Sequence, residues 1–274
     1  MVGCAGSVGP AGFVVGFSVG RVRCGASWAA GRASGRGARA AGTIRYLAGR
    51  LAAAALSDLP PRLVADGLAM RFGRRRLFEG LSVTVEAGAP LAVVGANGSG
   101  KSTLLLVLAG LLAPAAGTVR LVAGGRDVRP EDRPQRVGLV SPGLQLYDAL
   151  TARENLAFVA RARRLAAGAV PEALARVGLL ARADEPLATF STGMRQRMRI
   201  AAAVMHRPPV LLLDEPGATL DEAGRALVAA LVAEAGAVVV VATNDPAEAA
   251  LCPRRLTLGA APMLAGPTLA ATPR

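Results

Sequence analysis

Gly95-Ala96-Asn97-Gly98-Ser99-Gly100-Lys101-Ser102 comes after the apolar run Leu91–Val94 and leads into a helical pattern over Ser102–Leu112. The stretch fits G-x-x-x-x-G-K-[ST], in the strand-to-helix setting that this pattern needs in order to hold phosphate. Glycines at 95, 98 and 100 allow backbone angles that aim successive N–H groups inward, and the start of the helix adds a positive dipole end. Lys101 supplies a point charge for β- and γ-phosphates, and the Ser102 hydroxyl suits Mg2+. Ala96, Asn97, Ser99 and Thr103 complete the expected nucleotide-binding set. Chance is the rival reading in a chain with 33 glycines. It fails on Lys101, the only lysine among 32 basic residues, which stands where the motif requires one and where a planar guanidinium does not serve.

Further along, Val210-Leu211-Leu212-Leu213-Asp214-Glu215 reads as an apolar strand ending in two acids. Asp214 is expected to hold Mg2+ through its water shell, and Glu215 to orient or deprotonate an attacking water. Alone, the pair could instead open a helix with capping acids. Beside a phosphate loop, the metal-and-water reading takes precedence. Phe72 lies 23 residues before Gly95. A ring there either stacks on a base or packs in the core, and its spacing does not choose between them.

From Arg62 onward, short β-rich runs alternate with longer helical ones. Strands are expected at Leu91–Val94, Thr118–Leu121, Val137–Val140, Val210–Asp214, Ala237–Ala242 and near Leu256. Helices are expected at Ser102–Leu112, Ala152–Leu165, Pro171–Leu179, from about Ser191, and at Glu222–Glu234. This alternation predicts an α/β fold, a P-loop NTPase sheet that is mainly parallel and covered on both faces, with an inserted helical subdomain at about 143–206.

The chain has 274 residues, 52% hydrophobic and 19% charged, with a net charge of +13. That is ample for a core and too apolar for a disordered chain. The longest apolar stretches, Leu104 to Ala113 and Ala226 to Ala233, fall short of the roughly 20 residues of a spanning helix. The first 57 residues hold seven arginines and no acid, so more than half of the charge sits in a Gly/Ala/Arg-rich segment. Residues 1–60 read as a low-complexity basic tail outside the folded unit, with Leu51–Leu56 as a candidate short helix. Such a tail could touch nucleic acid or an anionic membrane face. Cys4, Cys24 and Cys252 are too few and too scattered for a disulfide framework or a metal cluster, which points to a reducing compartment. No signal-peptide pattern opens the chain.

Residues 62–259 resemble the ATP-binding subunit of an ABC transporter, export-type, which makes residues 61–274 one ATP-binding domain. The most specific element is Phe190-Ser191-Thr192-Gly193-Met194-Arg195-Gln196-Arg197, which is similar to that family's LSGGQ signature, with Thr192 and Met194 in place of a Gly and the Gln. Without the family, Ser191 is a plain helix N-cap, and both roles are compatible. Ala218-Thr219-Leu220-Asp221 resembles the family's D-loop, and the stretch Leu146–Leu156 the segment that meets a membrane subunit. The resemblance implies ATP and Mg2+ as ligands. It also implies a homodimer or heterodimer sandwiching ATP between the phosphate loop of one subunit and Ser191, Thr192, Gly193 and Met194 of the other. A separate transmembrane permease and a place on the cytoplasmic face of the cell membrane are implied by the same likeness. Haem export for cytochrome c maturation is one specific case within the export class.

Two departures stand out. Ser141 and Pro142 occupy the place of the family's Q-loop glutamine, with Gln145 a few residues late. Asn244, thirty residues after Asp214, occupies the place of the switch histidine. An amide can donate a hydrogen bond to a γ-phosphate but cannot carry a proton near neutral pH, so slow hydrolysis is expected. His206, the only histidine, reads as a helix-end residue. These features leave two alternatives. One is a weakly catalytic, nucleotide-gated subunit paired with an active partner. The other, raised by the net charge of +13, is an ATPase acting on nucleic acid; such proteins carry two cassettes or a long coiled coil, neither of which is read here, so nucleic acid is not expected as a partner.

Overall fold

The computed structural model describes residues 59–234 and 236–259. The expected tail and its short helix lie almost wholly outside these residues, as do Cys4 and Cys24. Two sheets form. Strands β1 (Arg62–Phe72), β2 (Arg75–Glu86), β4 (Ala116–Ala123) and β5 (Arg126–Val128) make an antiparallel sheet in the order β2-β1-β4-β5. Strands β3 (Leu91–Val94), β6 (Val137–Val140), β7 (Val210–Asp214), β8 (Val238–Ala242) and β9 (Arg254–Thr257) make a parallel sheet in the order β6-β7-β8-β3-β9. The expected strand Thr118–Leu121 lies within β4 of the first sheet.

Every residue of β7 and β8 is buried, as expected of parallel strands covered on both faces. Successive side chains of these strands point to opposite faces and join separate cores. On one face, Leu211, Leu213, Val239 and Val241 pack with the helices α2 (Ala152–Ala162), α3 (Ala169–Arg176) and α4 (Thr192–Val204). On the other, Val210, Leu212, Val238 and Val240 pack with α1 (Lys101–Ala109) and with Leu63, Leu68 and Met70 of β1. Helix α1 is apolar on nearly all sides because it is enclosed on nearly all sides. It stops at Gly110, whose φ of 80° closes the C-terminus through hydrogen bonds to Leu106 O and Val107 O.

The β1–β2 hairpin turns through Gly73-Arg74, with Gly73 at φ 57°, as a two-residue loop requires. Its alternation is concealed by a register shift between Ala65 and Leu68. Buried positions are odd before it (Leu63, Ala65) and even after it (Leu68, Met70), so no single period-2 pattern spans the strand.

Helix α2 opens with a full capping box between Thr151 and Glu154. One turn in, the buried Asn155 accepts from Tyr147 N–H and donates to the carbonyls of Tyr147, Leu150 and Thr151. One amide thereby sets the shape of the loop before the helices. Helices α5 (Glu222–Val232) and α6 (Pro246–Ala250) complete the fold.

Candidate functional site

Parallel strands present the loops at their C-terminal ends along one edge of the sheet, and here three adjacent strands deliver the site. β3 ends at Val94 and leads into the phosphate loop, β7 ends at Asp214, and β8 ends at Ala242 before Thr243 and Asn244. The edge is laced by backbone bonds: Glu215 N–H to Ala242 O at 2.8 Å, and Thr243 N–H to Val93 O at 3.1 Å. Residues 143 positions apart are thereby brought together. Lys101 Nζ donates to Gly95 O at 2.9 Å and to Asn244 Oδ1 at 2.8 Å, and stands 3.8 Å from Glu215 Oε1.

The loop's glycines are needed where they stand. Gly95, at φ 153°, leaves no room for a side chain, since a Cβ would lie 2.5 Å from Leu258 O. Gly100 caps α1 at φ 102°, in the left-handed region, without a capping side chain. The first N–H groups of α1 therefore stay free for a ligand. Ser99 N–H closes the intervening turn onto Ala96 O at 3.0 Å.

A cavity of about 410 Å³ opens over this loop, lined by Phe72, Leu77, Asn97, Gly98, Gly100, Lys101, Ser102, Thr103 and Glu215. Its size and mixed lining are those of a small-ligand pocket. Phe72 is 54% exposed at its rim, so the ring stands at the surface and not in the core. Gly95, Ala96 and Ser99 shape the loop from behind and do not line the cavity.

Asp214 is 3% exposed, and its Oδ1 has no hydrogen-bond partner. Burial pushes its carboxyl pKa up, the Ser102 hydroxyl opposes this, and Glu215 adds to it more than Lys101 takes away. A buried carboxylate with a vacant lone pair, a hydroxyl beside it and a second carboxylate next in sequence suits a hard divalent cation. Mg2+, with Ser102 and Asp214 as its holders, fits these residues. Glu215 Oε2 accepts from Asn244 N–H at 3.3 Å and from the Thr243 hydroxyl at 3.4 Å. Its backbone, at φ 46°, is in the left-handed region, which for a residue other than glycine costs about 1–3 kcal/mol and persists only where the surroundings enforce it.

The signature residues stand apart from this cavity. Ser191 caps α4, its Oγ accepting from Met194 N–H at 3.2 Å. Ser191 and Thr192 are exposed. Gly193 packs so closely on the D-loop that a Cβ would lie 2.9 Å from Thr219 O. Asp221 caps α5 and pairs with Arg197 of α4, and that pairing, with the Gly224 N–H, holds its carboxyl below the usual range. Gln145 is exposed and, among the described residues, is not part of the cavity wall. His206 comes after α4, near Val137 at the start of β6.

Three contributors to the site were not anticipated from the sequence. Arg75 Nη2 donates to Gly98 O at 2.8 Å, bracing the phosphate loop from the β1–β2 hairpin. Gln196 and Glu248 hold the backbone immediately after Glu215. Gln196 lies within the quoted signature stretch, and Glu248 stands one helical turn beyond Asn244. Those proximities were the available signals.

The ABC transporter family profile matches residues 78–218. The chain is 36% identical over 205 residues to the cytochrome c biogenesis ATP-binding export protein CcmA of Rhodopseudomonas palustris, covering 73% of this chain and 98% of that one. It is 43% identical over 175 residues to the thiamine import ATP-binding protein ThiQ of Cereibacter sphaeroides, covering 61% and 75%. Among solved structures, an ATP-binding subunit of an ABC transporter superposes with a TM-score of 0.64 at 27% identity, covering 72% of this chain and 85% of that one.

Proposed function

This chain belongs to the ABC transporter family as an ATP-binding subunit, and on that premise we propose that it hydrolyses ATP to drive export through a separate transmembrane subunit. The observation that carries the reading is the convergence of Glu215 and Asn244 on Lys101 at the phosphate loop, with the partnerless Asp214 oxygen next in sequence to Glu215. No helix among the described residues is long and apolar enough to cross a membrane.

In this mechanism the α1 N-terminus and the backbone amides of residues 95–102 cradle the phosphates, and Lys101 exchanges its contacts with Gly95 and Asn244 for phosphate oxygens. Phe72 stacks on the base. Ser102 and Asp214 would hold Mg2+, which when bound would supply positive charge against the transferred phosphoryl group. Glu215 orients the attacking water and accepts its proton, while Asn244 donates a hydrogen bond from its amide to the γ-phosphate. Catalysis is then a matter of positioning and charge stabilisation. Ser191 and Gly193 act on the nucleotide of a second ATP-binding subunit, and Asp221 lies at that interface. Tyr147 and Phe158, both more than half exposed and edge-to-face at 5.7 Å, offer the membrane subunit an aromatic contact on the cytoplasmic face.

Export is supported by the S-T-G-M form of the signature and by the near-complete coverage of the export protein CcmA. Haem export for cytochrome c maturation is the specific case to test first. Inside-out vesicles carrying the chain with its permease should accumulate haem on addition of ATP, and ATP-driven release of a preloaded solute would favour import. The primary test is steady-state ATP hydrolysis by the purified chain beside Lys101→Ala and Glu215→Gln. Activity in the wild type and its loss in both variants is the expected result. Asn244 favours a second reading, a nucleotide-gated subunit with little turnover of its own. Robust hydrolysis by the homodimer would exclude it.

A further inference from the structure

The peptide joining Pro216 to Gly217 comes directly after Glu215, and both of its polar groups are held by buried side chains from different elements. Pro216 O accepts from Gln196 Nε2 at 3.0 Å, and Gly217 N–H donates to Glu248 Oε1 at 2.7 Å. Gln196, 4% exposed, stands on α4 five residues after Ser191, and Glu248, 7% exposed, stands on α6 four residues after Asn244. Surface loops ordinarily leave such groups to water, and burying a carboxyl and an amide to hold one peptide is a costly alternative.

The surroundings make both grips specific. Arg199 donates to Gln196 Oε1 at 3.2 Å and to Leu144 O at 3.0 Å, which turns the Gln196 amide so that its NH2 faces Pro216. At Gly217 a Cβ would collide with Glu248 Oε1, so the contact exists only because the residue is glycine. Glu248 Oε2 has no hydrogen-bond partner, and burial holds the carboxyl above its usual range, with the nearby Thr243 hydroxyl and the Gly217 N–H opposing.

We propose that Glu248 and Gln196 are positioning residues for hydrolysis: by fixing the 216–217 peptide from two sides they enforce the left-handed backbone of Glu215 and hold its carboxylate toward the attacking water. The Gln196 arm also ties that carboxylate to the helix that begins at the signature, so a shift of α4 on meeting a second subunit is felt at Glu215. The inference rests on the reading of Glu215 as the group that handles the water.

The test is ATP hydrolysis by the full-length chain, with kcat and KM separated, for wild type, Glu248→Ala, Glu248→Gln and Gly217→Ala. Misplacing a catalytic group by a fraction of an ångström lowers turnover without touching ground-state binding, so Glu248→Ala should lose about 10–100-fold in kcat with KM for ATP within about 2-fold. Glu248→Gln keeps the acceptor for Gly217 and should recover to within about 3-fold of wild type. Gly217→Ala displaces the carboxylate while leaving Glu248 in place and should reproduce the Glu248→Ala loss. It carries the test if Glu248→Ala does not fold. Hydrogen exchange at the Gly217 amide should accelerate in Glu248→Ala with no matching change in α1 or β7. Unchanged kcat in folded Glu248→Ala or Gly217→Ala, or a loss confined to KM, overturns the inference alone. A wild-type chain that binds ATP without turning it over overturns the assignment of Glu215 and the inference with it.

Discussion

The phosphate-loop half of the molecule and the signature half are built to different ends. Around Lys101 the polar groups face inward and partner one another: Gly95, Asn244 and Glu215 surround one ammonium, and Arg75 braces Gly98 from outside. At Ser191 the polar groups sit at the surface and satisfy only their own helix. The first half is a preformed cradle whose occupant is small. The second stands open at the surface of the described residues, and on the proposed reading it is completed by another copy or a homologous partner. The contrast breaks most decisively under complementation. Lys101→Ala removes the cradle's charge, and Gly193→Asp puts a carboxylate against Thr219 O, where even a Cβ has only 2.9 Å. Each variant should be inactive alone. Mixed in equal amounts, they form dimers with one intact composite site, and ATPase activity should return to about a quarter of wild type on statistical pairing. Should the signature act on its own chain's nucleotide, no mixture would recover activity.

A smaller effect sharpens the comparison within the cradle. Asn244 accepts from Lys101 at 2.8 Å and donates from its NH2 to Asn97 Oδ1, so a residue here stands at the phosphate loop and turns its amide to a γ-phosphate on leaving those two partners. The amide can donate a hydrogen bond but cannot become a cation, whereas an imidazole beside the Glu215 carboxylate and a phosphate can share a proton. Asn244→His should raise kcat by up to about 10-fold, with little change in KM, read in the same hydrolysis assay. An unchanged rate would show that the step limited by the native site lies elsewhere, for example in bringing the two halves together.

The cradle was legible in the sequence because its chemistry is local. Glycine spacing, one lysine and a strand ending in Asp-Glu are each short-range patterns, and the parallel strands that align them are continuous apolar runs. The antiparallel sheet was not legible, because the shift between Ala65 and Leu68 moves the buried residues from odd to even positions. A strand reader looking for one period finds neither half long enough. Arg75, Gln196 and Glu248 escaped for a different reason. Each acts on a backbone group of a residue 20 to 31 positions away, Gly98, Pro216 and Gly217 respectively, and a backbone acceptor or donor leaves no mark on residue type. Gly217 is the exception, since its missing side chain is the trace of the contact.

The smallest expected effect concerns stability, and it separates the two halves by their response to acid. His206 comes just after α4, in the helical half, and does not line the nucleotide cavity. Both ring nitrogens are buried without a hydrogen-bond partner, and its pKa is pushed down to about 4 by burial first and then by the Arg163 guanidinium, against a smaller opposing influence of the Val137 backbone. Between that value and the ordinary 6.5, the unfolded chain binds a proton that the folded chain does not. Stability therefore rises with pH across this window: the contribution is fully present above about pH 6.5 and is lost as pH falls toward 4. The full shift corresponds to roughly 3 kcal/mol, and partial exposure reduces this to about 1–2 kcal/mol. His206→Gln should flatten that limb in urea titrations at about pH 4.5 and 7, leaving the difference in unfolding free energy smaller by about that amount. Since His206 packs near the start of β6 and not against the cradle, amide exchange at about pH 5 should accelerate first in α4 and β6, with α1 still protected. Simultaneous opening of α1 would mean that the two halves are one cooperative unit, and that the division between cradle and signature is confined to chemistry.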